Sequence, residues 1–312
     1  MDFRELGRHG PKVSVVGLGM WQAGGSSWGD DVTDRDTQAA MVRAIDLGIN
    51  LVDTAEVYGD GHSEEVVGRA LRKVGRQRVF VATKVGGHHL HADDVVRACR
   101  GSRRRLGVRS IDLYQIHRPP AWEQVSLHET MRALERLQRE GKIEHIGVSN
   151  FAIRDLEEAR SHLSRSEIVS NQVQYSLLHR EIEDELLGYC RREGIGVIAW
   201  SPLAKGLLTG KYHRARRPKD RIRSEDALFR RTNVTATMPL VHTLRRIARA
   251  RGRTPSQVAL GWLISYRKVV PIPGAKRPAQ SAENAGAAGW SLTLHEARTL
   301  DRVSSQSRPD TF

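Results

Sequence analysis

Cysteine is scarce in this chain of 312 residues, which contains only Cys99 and Cys190. The two lie far apart in the sequence, and neither belongs to a CxxC pair or a Cys/His cluster. The sequence therefore argues against a disulfide scaffold and against a structural zinc site. It also lacks any apolar run of about twenty residues, the length that a membrane-spanning helix needs. These shortages exclude disulfide-bonded mini-proteins and helical membrane proteins, and they favour a soluble globular protein.

The opening sequence, MDFRELGRHGPKVSVVGLGM, lacks the unbroken apolar segment of a secretory signal peptide, because charged residues interrupt it. We therefore expect no export and a cytoplasmic protein. The length of the chain suits one large hydrophobic core, so residues 1–312 are predicted to form a single domain.

Acidic residues are too few to balance the basic ones. The chain has 36 Asp and Glu against 50 Lys and Arg, a formal net charge of +14. Such a charge suits a nucleic-acid binder, but the excess is spread along the chain, mostly as Arg on predicted helix faces. We therefore expect solvated basic faces and no nucleic-acid partner. The densest cluster, residues 213–223, lies in a loop and can instead bind the phosphates of a cofactor.

Short apolar runs alternate with longer amphipathic stretches, a pattern typical of repeated βα units around a buried parallel sheet. The predicted strands are 15–18, 50–53, 79–83, 111–116, 145–148, 169–174, 196–199 and 269–272. The predicted helices are 36–47, 63–74, 92–106, 127–140, 153–161, 181–193, 239–250, 257–264 and 279–286. Eight such units predict an α/β protein with the (β/α)8 TIM barrel fold.

An open doubly wound sheet is the alternative fold for this alternation. The dinucleotide-binding form of that fold carries GxGxxG after its first strand, and the sequence from Gly17 to Trp21 does not match it. Residues 203–237 have no clear periodicity. Since long irregular segments in compact domains are usually functional, we predict that this one is a loop that covers a cofactor.

Polar residues recur where the predicted strands end, at Asp53, Lys84, His117 and Asn150. They are spaced roughly thirty residues apart, as one βα unit is. Because active sites of βα barrels lie at the C-terminal ends of the strands, these four side chains are predicted to meet at one mouth. Tyr58 follows Asp53 in the same loop and adds a proton donor.

This set of residues suits the reduction of a carbonyl group. A free phenol, with a pKa of about 10, is a weak acid at neutral pH, and a nearby ammonium such as Lys84 lowers that pKa. Asp53 can pair with Lys84, and His117 can donate a hydrogen bond to a carbonyl oxygen or relay a proton to Tyr58. Donors at the oxygen stabilise the negative charge that develops there when hydride reaches carbon. The hydride itself requires a cofactor.

Several motifs follow one another along the chain: DTAEVYG with the following SEE, the pair Thr83-Lys84, QIH ending at His117, IGVSNF around Asn150, and AWSPL from Ala199. In this order and at this spacing they resemble the aldo-keto reductase superfamily. The resemblance runs from Arg4 to Asn284. It implies a catalytic tetrad of Asp53, Tyr58, Lys84 and His117, with Tyr58 as the general acid. The strand ends already indicate Asp53, Lys84 and His117, and the loop after Asp53 indicates Tyr58.

The resemblance further implies a nicotinamide site and a phosphate site. Ser149, Asn150 and Gln172 are expected to hold the carboxamide, and Trp200 to lie against the nicotinamide ring. The covering loop at residues 203–237, together with Ser201 and Pro202 before it, is called the lid below. It is expected to bind the pyrophosphate through Ser201, Pro202, Leu203, Gly206, Lys211 and Arg221.

The C-terminal segment is similar to the family's adenosine 2′-phosphate and adenine site. The residues expected there are Gly274, Lys276, Arg277, Gln280, Glu283 and Asn284. This favours NADPH/NADP+. Gly274, Ala275 and Gln280 stand where one branch of the family has a Lys-Ser pair and a later Arg. Lys276, Arg277 or both are therefore expected to bind the 2′-phosphate. Arg118 also replaces the aromatic residue that many members have after the histidine.

Aromatic residues in loops that follow the predicted strands are candidates for the substrate wall. They are Trp21, Trp28, Trp122 and Phe151, and only Trp21 is assigned to the pocket. The others are equally suited to the core.

Lys84 and a cluster of histidines each allow another interpretation. Lys84 alone would suit a Schiff-base aldolase, but that chemistry does not explain the Trp200 and Lys276 segments. The cluster His88-His89-Leu90-His91 has no carboxylate beside it at metal-ligand spacing, so a solvated loop and no metal are expected.

We therefore predict an NADPH-dependent oxidoreductase that converts aldehydes or ketones to alcohols. The partner is a small carbonyl compound rather than nucleic acid or membrane. The alternative is a nicotinamide-nucleotide-binding regulatory subunit on the same fold, like the potassium-channel β subunits of this family. Oligomeric state, substrate identity and reaction direction are left open.

Overall fold

The computed structural model describes residues 1–25, 28–29, 32–120 and 125–307. Two strands form an N-terminal antiparallel hairpin, and eight more form one parallel sheet. In chain order they are β1 (Phe3–Glu5), β2 (Lys12–Ser14), β3 (Leu18–Gly19), β4 (Leu51–Asp53), β5 (Phe80–Val85), β6 (Ile111–Ile116), β7 (Ile143–Ser149), β8 (Ile168–Gln174), β9 (Gly196–Trp200) and β10 (Val269–Pro271).

Neighbours in the parallel sheet follow chain order from β3 to β10. The sheet closes on itself because Gly17 N donates to Pro271 O at 2.9 Å and Gly19 N donates to Pro273 O at 3.2 Å. Gly19 also pairs with Gly274 in a parallel bridge. The predicted (β/α)8 barrel is therefore confirmed.

Twelve helices lie in the described residues. They are α1 (Asp34–Asp46), α2 (His62–Val74), α3 (Ala92–Leu106), α4 (Leu127–Arg139), α5 (Ile153–Ser161), α6 (Leu186–Glu193), α7 (Arg221–Ser224), α8 (Arg231–Ala236), α9 (Met238–Arg251), α10 (Pro255–Ile264), α11 (Pro278–Ala285) and α12 (Leu294–Gln306). Local signals fix several ends: Thr254 accepts from Gln257 N at the start of α10, and Gly107 and Gly194 end α3 and α6 in left-handed conformation.

The β1–β2 hairpin lies at the N-terminal end of the barrel. Arg4 Nη1 donates to Tyr266 O and Val269 O, each at 2.8 Å. Leu6 and Val13 pack against apolar side chains of the barrel strands, among them Leu113. One end of the barrel is thus filled with apolar groups, and the polar side chains lie at the other.

Most predicted elements lie within a few residues of the observed ones, with three differences. The sixth predicted helix begins at Leu186 rather than at 181, because Glu181–Glu183 form a separate 3-10 turn. The hairpin was not predicted, since two strands of three residues are too short to show an alternating pattern. Residues 203–237 contain two 3-10 segments, Ala204–Thr209 and Ala227–Phe229, and the helices α7 and α8 rather than an irregular loop. None of the helices in the described residues is long and apolar enough to span a membrane.

Candidate active site

A buried ion pair lies at the C-terminal end of the barrel. Asp53 ends β4 and Lys84 lies near the end of the neighbouring β5. Lys84 Nζ donates to Asp53 Oδ1 at 2.6 Å, to Thr54 O at 2.9 Å and to Tyr58 OH at 3.3 Å. The Lys84 side chain is 0% exposed and that of Asp53 is 3% exposed. An ammonium group has three donors, and each of them has an acceptor here.

Two glutamine amides complete the surroundings of Asp53. Its second oxygen, Oδ2, accepts from Gln172 Nε2 at 2.8 Å and from Gln115 Nε2 at 3.2 Å. Gln115 lies in β6 and Gln172 in β8, so the carboxylate accepts hydrogen bonds from two other strands of the barrel. No role was predicted for Gln115. The signal for it was a polar amide two residues before His117, near the C-terminal end of a strand whose residues are all buried.

The titration of the Tyr58–Lys84 pair differs from the sequence expectation. Burial raises the pKa of Tyr58 above its ordinary value, and this effect outweighs the opposing effect of Lys84. For Lys84, burial lowers the pKa, but the charge of Asp53 and the hydrogen bonds to Asp53 and Tyr58 reverse this and leave the net pKa raised. Tyr58 is therefore protonated and Lys84 charged at neutral pH.

His117 follows β6 and faces Tyr58 edge to face, with the ring centroids 5.6 Å apart. Burial, and then the positive charges of Lys84 and Arg118, lower the pKa of His117 to about 3. The imidazole is consequently neutral at pH 7 and can donate from one of its two nitrogens. All four residues of the predicted tetrad are thus brought together.

The residues expected to hold a carboxamide lie beside the tetrad and bind one another. Ser149 Oγ donates to Gln172 O at 2.8 Å, and Asn150 Nδ2 donates to His117 O at 3.0 Å. Trp200 Nε1 donates to Asn150 Oδ1 at 3.1 Å. Asn150 has a φ of +61°, a left-handed conformation that asparagine tolerates better than most residues. These side chains form one connected rim of the mouth.

Trp21 lies next to Tyr58, where an aromatic wall for the substrate was expected. Its ring is 6.2 Å from that of Tyr58 and 4.8 Å from that of Trp28, centroid to centroid. Trp21 is 36% exposed, whereas Trp28 and Phe151 are buried. Trp122 lies outside the described residues. Trp21 is therefore the aromatic residue of this group that a ligand can reach.

The segment after β9 turns sharply beside this mouth. Ser201 and Lys205 both have a φ of +51°, and Gly206 has a φ of +95°. Pro202 is buried and Leu203 half-buried. With Ala204, at a φ of +47°, four residues in left-handed conformation bend the chain back on itself. The turn brings Lys211 close to Lys276, which precedes α11.

Three cations cluster between the lid and the C-terminal segment. Partial desolvation, then the charges of Arg223 and Lys276, lower the pKa of Lys211 to about 8. The Arg223 guanidinium lies 4.7 Å from the ring of Trp28, and its Nε donates to Lys205 O at 2.7 Å. Like charges held this close repel one another, and a bound polyanion would relieve the repulsion.

Arg223, rather than Arg221, belongs to this cluster. Arg221 has a side chain that is 78% exposed, and its Nε pairs with Glu225 Oε1 at 3.1 Å. The Arg223 side chain is 11% exposed and its Nη1 pairs with Asp220 Oδ2 at 2.6 Å. Arg221 was predicted from its position in the sequence, and the structure adds Arg223 as a second candidate. An irregular segment gives no periodicity from which the direction of either side chain could be predicted.

The C-terminal segment forms a tight turn ahead of α11. Gln280 Oε1 accepts from Lys276 N at 2.7 Å and from Arg277 N at 3.1 Å. Asn284 Nδ2 donates to Gly274 O at 3.3 Å. In this structure Gln280 and Asn284 hold the backbone of the turn. Glu283, the remaining one of the six residues expected in this segment, is half-buried on α11.

The donor set fits a phosphorylated dinucleotide. Amide and hydroxyl groups surround the tetrad, and cationic side chains lie beyond the lid, a division that matches a polar ring at one end and phosphates at the other. Ser149, Asn150, Gln172 and Trp200 are the groups next to the tetrad, and Lys211, Arg223, Lys276 and Arg277 are the cationic groups.

The lowered pKa of His117 gives a testable pH dependence. The folded protein should keep this imidazole neutral between about pH 3 and the ordinary value of 6.5, whereas the unfolded chain binds the proton there. The contribution of His117 to the free energy of unfolding is thus complete above pH 6.5 and falls as the pH drops towards 3. In histidine NMR spectra, assigned with His117→Gln, the His117 signals should not shift between about pH 7 and about pH 5. A titration midpoint near the ordinary value would contradict this environment.

Comparisons with known proteins agree with this geometry. The model of the Aldo/keto reductase family matches residues 15–305. An uncharacterized oxidoreductase of Mycobacterium tuberculosis is 39% identical, over 96% of this chain and 91% of its own. A methylglyoxal reductase of Escherichia coli is 34% identical, over 93% and 91%. The solved structure of an aldo/keto reductase from Klebsiella pneumoniae, in complex with NADP and acetate, is 31% identical and has a TM-score of 0.76, over 99% of this chain and 97% of that one. The chain therefore belongs to the aldo/keto reductase family of oxidoreductases.

Proposed function

We propose that this protein reduces aldehydes or ketones to alcohols, with NADPH as the hydride donor and Tyr58 as the general acid. The observation that carries the proposal is the contact between Tyr58 OH and a buried ammonium, that of Lys84, at 3.3 Å. The same ammonium binds Asp53. An ammonium that already donates a hydrogen bond to a phenol oxygen can stabilise the phenolate that forms when the phenol loses its proton.

Two donors can meet a substrate oxygen at this mouth. When carbon accepts a hydride, the oxygen develops negative charge, and Tyr58 OH donates its proton there. His117 is neutral, since its pKa is lowered to about 3, so it orients the oxygen through an N–H without adding a competing charge. Donors placed at that oxygen stabilise the transition state more than the ground state.

Lys84 acts on the product of the proton transfer. Burial raises the pKa of Tyr58, which keeps the phenol protonated until a substrate is present. When the proton leaves, the phenolate lies beside the Lys84 ammonium, and the attraction offsets the loss of solvation. Asp53 fixes the position of Lys84 through the 2.6 Å contact. We infer that Asp53 and Lys84 position and tune the acid and that neither receives the hydride.

A bound nicotinamide cofactor supplies the hydride. Ser149, Asn150 and Gln172 are proposed to bind its carboxamide, and Trp200 to lie against the ring. The lid segment, with Lys211 and either Arg221 or Arg223, is proposed to bind the pyrophosphate. Lys276 and Arg277 are proposed to bind the 2′-phosphate that distinguishes NADPH from NADH, with Gln280, Glu283 and Asn284 around the adenosine. The Klebsiella relative that was solved with NADP supports this choice.

A small carbonyl compound is the proposed substrate, bound against Trp21 and Tyr58. The methylglyoxal reductase among the relatives supports that substrate class. We also propose that the protein acts as a single domain and in the cytoplasm. A purely regulatory nucleotide-binding role is the competing function. The intact tetrad favours catalysis, because binding alone does not require a proton donor coupled to a buried lysine.

Removal of the Tyr58 hydroxyl separates catalysis from binding. Tyr58→Phe should lower kcat/KM for aldehydes at least about a hundredfold, because the proton donor is lost, while NADPH binding, followed by tryptophan fluorescence, is retained. Tyr189→Phe is the matched control, since its hydroxyl accepts from Arg160 on α5 at 3.1 Å, outside the barrel mouth. NADPH binding without turnover of any aldehyde or ketone by the wild type would favour the regulatory role, and absence of binding would contradict both.

The cations of the C-terminal segment should set the choice of cofactor. Lys276→Ala combined with Arg277→Ala should raise the Kd for NADPH at least about tenfold, because charged contacts to a phosphate are lost, and should leave the Kd for NADH nearly unchanged. Lys268→Ala, at the N-terminal side of β10, is the matched control. Equal weakening of both cofactors would show that these residues do not contact a 2′-phosphate.

A further inference from the structure

Two histidines lie against a buried carboxylate beside the barrel mouth. Glu56 belongs to the loop between Asp53 and Tyr58 and is 8% exposed. His88 and His89 belong to the loop after β5, and their ring centroids are 4.0 Å apart. One potential ligand atom from each of Glu56, His88 and His89 lies within 4.8 Å of the other two. The sequence next to His88 has no carboxylate at ligand spacing, and Glu56 of the neighbouring loop supplies one.

We propose that Glu56, His88 and His89 form a binding site for a divalent transition-metal ion, with Zn2+ as its representative. Two imidazole nitrogens and one carboxylate oxygen are a ligand set that zinc uses when a fourth position is left to water. Bond lengths of about 2.0–2.2 Å place ligand atoms about 3.3 Å apart around a tetrahedral ion. Here the Glu56 and His89 atoms are 3.0 Å apart, and all three ligand atoms lie within 4.8 Å of one another. His88 is exposed, so rotation of its side chain can close the site.

The carboxylate is already oriented for this role. Glu56 Oε1 accepts from Gly86 N at 2.6 Å and lies 3.0 Å from His89 Nδ1. A backbone N–H that fixes a ligating carboxylate raises metal affinity, because less freedom is lost on binding. A cation would also compensate the charge of a carboxylate that is largely removed from water. Two of the three ligands therefore lie in place before an ion arrives.

The site depends on strand pairing rather than on local sequence. β4 and β5 are neighbours in register, with Asp53 opposite Ala82, and this brings the two following loops together. His91, the third histidine of the run, does not join them. Its Nδ1 lies 3.5 Å from Glu129 Oε2, on the side of α4. His91 is thus a matched control within the same loop.

A bound ion would connect the loop that carries Tyr58 to the loop that follows Lys84. Glu56 lies two residues before Tyr58, and Gly86 two residues after Lys84. Since both loops would then be held by one ion, occupancy would raise the thermal stability and change the rate of any reaction that uses Tyr58. Binding of the ion does not depend on that reaction, and it is measured separately.

The test uses the untagged, chelator-treated full chain, titrated with Zn2+ in a calorimeter and with Co2+ in a spectrophotometer. We expect one ion per chain, a tetrahedral Co2+ absorption band and a Tm that rises with Zn2+. His88→Ala should weaken Zn2+ binding at least about tenfold and abolish the band, and Glu56→Gln should do the same, whereas His91→Ala should change the affinity less than about twofold.

Three results would overturn the proposal. They are no binding to the wild type, wild-type affinity in His88→Ala, and an equal loss in His88→Ala and His91→Ala. The last would indicate nonspecific binding to a histidine-rich loop. Because His88 is exposed, its substitution tests the site even if Glu56→Gln impairs folding.

Discussion

The candidate site depends on one buried ion pair, that of Lys84 and Asp53. Two charges removed from water destabilise a protein unless each finds enough partners to replace its hydration. Here the ammonium has three acceptors and the carboxylate has the ammonium and two amides. The third acceptor of Lys84 is Tyr58 OH. The hydroxyl that we propose as the acid therefore also accepts a hydrogen bond that the buried Lys84 ammonium needs. The stability of the ion pair and the proposed proton transfer both depend on it.

The closed barrel makes this arrangement possible. Asp53 receives hydrogen bonds from β6 and β8, and Gln172 lies 119 residues further along the chain. Only a sheet that curves back on itself brings the ends of distant strands around one carboxylate. The apolar packing at the opposite end, with the hairpin and Leu113, leaves the polar groups to one mouth. A lid and a C-terminal turn then add cations beside that mouth. Burial, followed by the charges of Arg223 and Lys276, lowers the pKa of Lys211 there.

The sequence was sufficient to predict the barrel and to predict that Asp53, Tyr58, Lys84 and His117 lie together, because both follow from a repeated pattern. Each apolar run marks a buried strand, and each tetrad residue lies at or just after the end of one. What the sequence could not indicate depends on burial and on contacts between loops. The net rise in the pKa of Tyr58 reflects desolvation, which no spacing reveals. Gln115 lies inside a fully buried strand, and Glu56 contacts His89 only because two strands pair. The direction of Arg223 depends on turns that have no period.

The central claim is that Lys84 acts through Tyr58, and a double-mutant cycle on kcat/KM for NADPH-dependent aldehyde reduction tests it most directly. Tyr58→Phe, Lys84→Met and the double variant would be compared with the wild type, after circular dichroism has shown that each is folded. If Lys84 serves the acid, the double variant should be about as slow as Tyr58→Phe alone, since residues that act as a unit are not additive. Losses that multiply in the double variant would mean that Lys84 and Tyr58 act independently, which would contradict the account.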